Sequence, residues 1–195
     1  MQTADDLSLD TRMGWPPGLR TFLDLYPREV WPGHRNLGQT ARFWLQRHDM
    51  FRDLGGALQA GMGEFREGRI QAPAFRGWFV PRLQFFLSEL HGHHHIEDVH
   101  YFPVFRAAET RLVRGFDVLE NDHAVIHEQI AGVVDAANGL LRSMESHPDA
   151  QRAGMDLYAG TSERLLKGLM RHLDDEEDLI VPVILDRGER QLFSA

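Results

Sequence analysis

The chain has 195 residues, a formal net charge of -8 and no cysteine, which suits one globular domain that buries its core without covalent staples and argues against nucleic acid, whose recognition needs a positive footprint. The missing thiols exclude disulfides and thiolate ligation, so any metal must rest on imidazole and carboxylate. No apolar run approaches the roughly 18 residues of a membrane span, and the acidic opening Met1 to Asp6 lacks the basic flank and apolar stretch of a signal peptide, so a cytoplasmic protein without a membrane partner is expected.

Residues 1–33 carry Pro16, Pro17, Gly18, Pro27 and Pro32, which break any long helix. An N-terminal arm with at most one short helix, near Leu19 to Tyr26, is expected. From Gly33 to about Gly63 the apolar positions Leu37, Ala41, Trp44, Leu45, Phe51, Leu54 and Leu58 recur at helical spacing, with His48 among them. The Gly-rich stretch Gly61 to Arg69 and then Pro73 separate this from a second helix. Its stripe is Leu83, Phe86, Leu90, His93 and Glu97, with Pro81 near the start and Pro103 ending or kinking it. A third helix is predicted over Thr110 to Arg142, with Leu119, His123, Ile126, His127, Ile130 and Val134 on its inner face. After the turn Ser146 to Asp149, a fourth runs from about Ala150 to Leu179 and presents Tyr158, Leu165, Leu169, His172 and Glu176. Four long helices with short joins give an all-α fold class, an antiparallel up-down four-helix bundle over residues 34–195, in whose core facing helices can build a metal site.

The second and fourth helices carry a near-repeat. His93 precedes Glu97 and Pro103, His172 precedes Glu176 and Pro182, and 79 positions separate each matching pair. A histidine four residues before a glutamate on a helix lies about 40° away around the axis and about 6 Å along it, so both can converge on one ion. The third helix adds His123 and His127, also four apart. Alone, such a pair reads equally as a wet helix face. On a stripe with Leu119, Ile126 and Ile130, two unpaired imidazoles would be costly, and a metal accounts for both. His48 alone would read as a satisfied core histidine, but an offset of 75 sets it level with His123 and makes the two halves a duplicated helix hairpin. His94 pairs with Asp98 as His93 does with Glu97, and Glu177 competes with Glu176, so these alternatives stay open. His91 and His95 are expected to face solvent, and His100 to sit in the core or behind a ligand. His34 lies about 21 Å from His48 along a helix, outside the site. The rest of Asp174 to Asp178 is expected to be a solvated face.

His48, His93-x-x-x-Glu97, His123-x-x-x-His127 and His172-x-x-x-Glu176 before a proline, in that order over roughly residues 34–185, resemble the hemerythrin family of His-His-Glu cation-binding four-helix bundles. The resemblance implies two non-heme irons bridged by Glu97, Glu176 and an oxo or hydroxo group, with His123, His127 and His172 on one iron and His48 and His93 on the other. The family's oxygen carriers place the last carboxylate five residues after the histidine, a spacing that Glu177 meets. Two octahedral ions have twelve coordination positions. The carboxylates fill four, the histidines five and the solvent-derived bridge two, leaving one for dioxygen, nitric oxide or azide. The same shell accepts manganese or zinc. Reversible small-ligand binding for storage, delivery or sensing is therefore the first expectation, in a pocket walled by Leu45, Phe51, Leu90, Ile126 and Leu169. A di-iron oxidase or peroxidase is the alternative, with His100, Tyr101 or Tyr158 supplying protons or electrons, although oxidases on such bundles use Glu-x-x-His motifs that are absent here. An iron- or redox-responsive regulator would meet a protein partner through Trp15, Phe22, Leu25 and Trp31 of the arm; otherwise those residues cap the bundle.

Overall fold

The computed structural model describes residues 7–193; the acidic opening residues 1–6, on which the signal-peptide reading rests, lie outside them. Every regular element among the described residues is helical. The arm forms a 3-10 turn at Pro17–Leu19, α1 (Thr21–Leu25) and a second 3-10 turn at Arg28–Val30. The long elements are α2 (Gln39–Arg66), α3 (Ala72–Ile96), α5 (Val113–Ser143) and α6 (Pro148–Arg187). A π-helical segment, Glu97–Tyr101, joins α3 to α4 (Phe102–Ala108), a 3-10 turn at Thr110–Leu112 leads into α5, and α7 (Glu189–Phe193) follows α6.

The helix ends differ from the expected ones for physical reasons. Residues 33–38, expected to open the first long helix, form turns instead. The first amides of a helix lack partners within it, and here Glu189 of α7 accepts from Thr40 N at 3.2 Å and from Ala41 N at 2.7 Å. A Cβ on Gly38 would meet that carboxylate. At its other end α2 runs past Gly63, because an interior glycine costs only about 1 kcal/mol and Leu58 and Met62 are held in the core. Pro103 does not end its helix either: the π segment just before it inserts an extra residue into the turn, where a regular helix would drive the proline ring into the carbonyl four residues back. α6 continues through Pro182 and stops at Gly188, whose φ of +80° favours glycine.

The chain divides into two compact units. The first comprises residues up to 49, 93–124 and those from 170, and the second 50–92 and 125–169. In the first, Trp15, Leu19, Phe22 and Trp31 of the arm are buried with Trp44 of α2, Phe105 of α4, Phe116 of α5 and Ile184 of α6. At roughly 1.5–3 kcal/mol for each large apolar side chain taken from water, these contacts seat the arm firmly. In the second unit Phe75 stacks on Phe79 at 4.8 Å and Phe79 meets Tyr158 edge-on at 5.1 Å. The stripe of α5 continues there through Val133, Ala137 and Leu140, which leaves Val134 exposed instead of inward-facing. Among the described residues no helix is long and apolar enough to cross a membrane.

Candidate metal centre

Four segments of the first unit bring their histidines and glutamates together. Ligand atoms of His48, His93, Glu97 and Glu176 lie within 4.8 Å of one another, and so do those of His94, Glu97, His123 and His172. Glu97 belongs to both groups. Its Oε1 faces His93 Nε2 at 2.9 Å and its Oε2 faces His123 Nε2 at 3.6 Å. Glu176 repeats the pattern, with Oε1 3.7 Å from His48 Nε2 and Oε2 3.2 Å from His172 Nε2. Each carboxylate thus turns one oxygen toward a histidine of each group, although Glu176 itself falls only in the group of His48 and His93.

Helix α3 achieves this with adjacent histidines. His93 and His94 stand about 100° apart around the axis, and a residue four beyond the first and three beyond the second falls between them. That residue is Glu97. The ring of His94 stacks on His123 at 4.0 Å and stands edge-on to His172 at 5.4 Å.

The outward nitrogens of three rings are braced from neighbouring helices. His48 Nδ1 lies 2.9 Å from Glu177 Oε1, His123 Nδ1 2.8 Å from Asp98 Oδ1, and His172 Nδ1 3.3 Å from Asp122 Oδ2. Each brace is adjacent in sequence to a residue of the site on another helix: Glu177 follows Glu176, Asp98 follows Glu97 and Asp122 precedes His123. A carboxylate on Nδ1 fixes the tautomer that leaves the Nε2 lone pair pointing inward. The acidic run is accordingly not a solvated face. Asp175, Glu176 and Glu177 are all buried, because Arg12 and Arg171 hold Asp175 and Arg28 holds Glu177.

Burial dominates the site's proton affinities. It lowers His48 and His123 against the pull of nearby carboxylates, lowers His93 to about 4, and raises Glu97 to about 8. His172 is the exception: burial opposes its charge, but Asp122 and Glu176 outweigh that and raise it to about 9.

These residues fit a metal pair. All four oxygens of Glu97 and Glu176 are buried and accept no hydrogen bond of ordinary geometry, a costly state for carboxylates unless a cation meets them. His48 Nε2 lies 3.1 Å from His93 Nε2, and His123 Nε2 lies 3.1 Å from His172 Nε2. Neighbouring ligands on an octahedral ion with bonds near 2.1 Å stand about 3 Å apart. Residues 39–184 match the hemerythrin HHE cation-binding domain, and the chain belongs to that cation-binding family. Neither the curated proteins nor the solved structures provide a match.

Of the residues read from sequence, His48, His93, Glu97, His123, His172 and Glu176 fall within the two groups. His127 falls in neither; it is half-buried, with its ring 5.0 Å from that of His91. His94, the alternative to His93, joins alongside it. The signal for this was His-His-x-x-Glu, two ligands flanking one carboxylate. Glu177 braces His48 and belongs to neither group. His91 and His95 are exposed as expected, but His100 is exposed too. The inserted residue of the π segment rotates the following residues by about 100°, so position 100 no longer shares the face of position 93. Tyr101 takes the inner side instead, 4.7 Å from Trp44.

Proposed function

We propose that the chain holds two non-heme irons, on an antiparallel up-down four-helix bundle, and binds dioxygen or a related small ligand reversibly. His94, His123 and His172 would hold one ion and His48 and His93 the other, with Glu97 and Glu176 available to both. The observation that carries this reading is the presentation of the two carboxylates, each with one oxygen toward each histidine group. With His94 taken in place of His127 the donor count would be unchanged, which would leave one coordination position open. When bound, the iron pair supplies a reducible Lewis-acid centre.

The chain's own residues favour the His48 side for the open position. A cavity of about 10 Å³, room for roughly one water-sized molecule, is lined by Trp44, Leu45, His48, Glu176, Ile180 and Ile184 among others. Of the walls expected from sequence, Leu45 is present. The aliphatic side chains exclude bulk water, and Glu177, which also reaches the cavity, is engaged by His48 and Arg28, so a ligand can leave as it came. Trp44 Nε1–H points at His48 Nε2 from 2.9 Å. A metal on that lone pair would release this donor toward the cavity. Optical titration of the oxidised iron-loaded protein with azide tests the reading: one azide per iron pair is expected, and no binding at any concentration would contradict it.

The pair Trp44 and Tyr101 favours a second reading, an oxidase or peroxidase. Two oxidisable rings at 4.7 Å, beginning next to His48, would carry electrons to the centre. Multiple turnovers of a phenolic reductant with hydrogen peroxide, abolished in Tyr101→Phe, would support it. Tyr158 lies in the second unit against Phe79.

A further inference from the structure

The match to the cation-binding family begins at residue 39, yet two arginines from before that point reach the acidic residues that brace the histidines. Arg12, with its side chain 1% exposed, donates Nη1 to Asp122 Oδ1 at 3.1 Å, Nη2 to Asp122 Oδ2, and Nε to Asp175 Oδ2 at 2.5 Å. Trp15 Nε1 adds a bond to the Asp175 carbonyl at 2.7 Å. Arg28 donates Nη1 to Glu177 Oε2 at 2.8 Å, Nε to Asp178 Oδ1 at 2.7 Å and Nη2 to the Asp174 carbonyl at 2.8 Å. Asp122 braces His172 and Glu177 braces His48. The two relays therefore end in different groups.

We propose that the N-terminal arm is a two-point clamp on the metal centre, in which Arg12 positions His172 through Asp122 and Arg28 positions His48 through Glu177. The proposal rests on the reading of the two groups as metal positions. A carboxylate gripped by a planar guanidinium fork cannot rotate freely, so the imidazole it faces keeps both its tautomer and its direction. Arg12 does this with both oxygens of Asp122. It also bridges that carboxylate to Asp175, tying α5 and α6 together beside the site. Lysine keeps the charge but not the fork, so geometry and charge can be tested apart. Neither arginine touches a metal ligand directly; both act as positioning residues.

The test is anaerobic cobalt(II) titration against a competing chelator, read by the visible bands, on wild type, Arg28→Met and Arg12→Lys, with a thermal melt of each metal-free variant. Arg28 is partly exposed, so Arg28→Met is the variant that keeps its fold if Arg12 variants do not. Loss of an orienting partner weakens metal binding by about 10–100-fold. Arg28→Met is expected to weaken one cobalt by that factor and leave the other within about threefold, and Arg12→Lys to weaken the opposite one. Combining Arg28→Met with Glu177→Gln should add little to either alone, whereas combining it with Asp122→Asn should give additive losses. Equal weakening of both ions by each variant, or no weakening, would overturn the clamp. Wild-type protein that binds no cobalt would overturn the metal reading itself.

Discussion

Glu97 sits between two adjacent histidines of one helix, and its two oxygens face one imidazole of each group. This placement separates the roles of His94 and His127. His94→Ala is expected to lower iron content, by atomic absorption, from two per chain to about one, with a loss of stability, since site formation is coupled to folding. His127→Ala is expected to leave iron content unchanged. The reverse result would return the ligand role to His127. Trp44 makes a second prediction. Trp44→Phe keeps the ring and removes the N–H, which should weaken azide binding about fivefold, the worth of one hydrogen bond near 1 kcal/mol, at constant iron content; unchanged affinity would place the open position elsewhere. Spacing made His93, Glu97, His172 and Glu176 readable in the sequence, because a four-residue step on a helix keeps one face. It left His93 and His94 as alternatives, because a reading that assigns one face per helix accepts only one of two adjacent histidines. Arg12 and Arg28 were unreadable for another reason: their partners lie more than a hundred positions along the chain.

Each long helix was visible as a stripe, but an end can be set by a group distant in sequence. Glu189 at the start of α2 is one such group. The π segment, contiguous with α3, was hidden for another reason: nothing in a regular period announces an inserted residue, and it moved His100 out and Tyr101 in. The turn between α4 and α5 shows what an end contact is worth. Glu109 accepts from Arg111 N at 3.2 Å and Nε at 2.6 Å, and from Arg187 Nη2 at 3.0 Å, and the bonds from Arg111 lead in holding its pKa down to about 2. A carboxylate depressed on folding stabilises above its ordinary pKa of 4.5 and loses that contribution as pH falls toward 2. Glu109→Gln should therefore cost about 1 kcal/mol at pH 7, after allowance for the exposed Arg111. In urea melts the difference from wild type should shrink as pH drops from 4.5 to 2. A difference constant across that range would mean that the carboxylate charge contributes nothing.

The whole molecule couples protons, metal and stability. Without metal, Glu97 keeps its proton up to about 8 and His172 up to about 9, whereas the unfolded groups lose theirs near 4.5 and 6.5. Above about pH 7, where the lowered His48, His93 and His123 are largely neutral in both states, the folded state therefore binds more protons than the unfolded one, and metal-free stability should fall as pH rises from there toward 9. A metal replaces those protons, so loading at pH 7 should release about two per chain, measurable with an indicator in unbuffered solution; no release would mean that the metal enters elsewhere. Family membership establishes a cation-binding chain, and the arrangement of its two carboxylates supports a pair of ions. Reversible ligand binding at that pair would show in the optical spectrum of the metal. The direct measurement is the visible spectrum and metal content of iron-loaded protein, recorded reduced without oxygen, then in air, then after oxygen is stripped. Two irons per chain, with an oxygen-dependent band that vanishes on stripping and returns in air, is the predicted result. Iron that oxidises once and does not return would contradict reversible binding and favour the enzyme, and protein that takes up no iron would contradict the site.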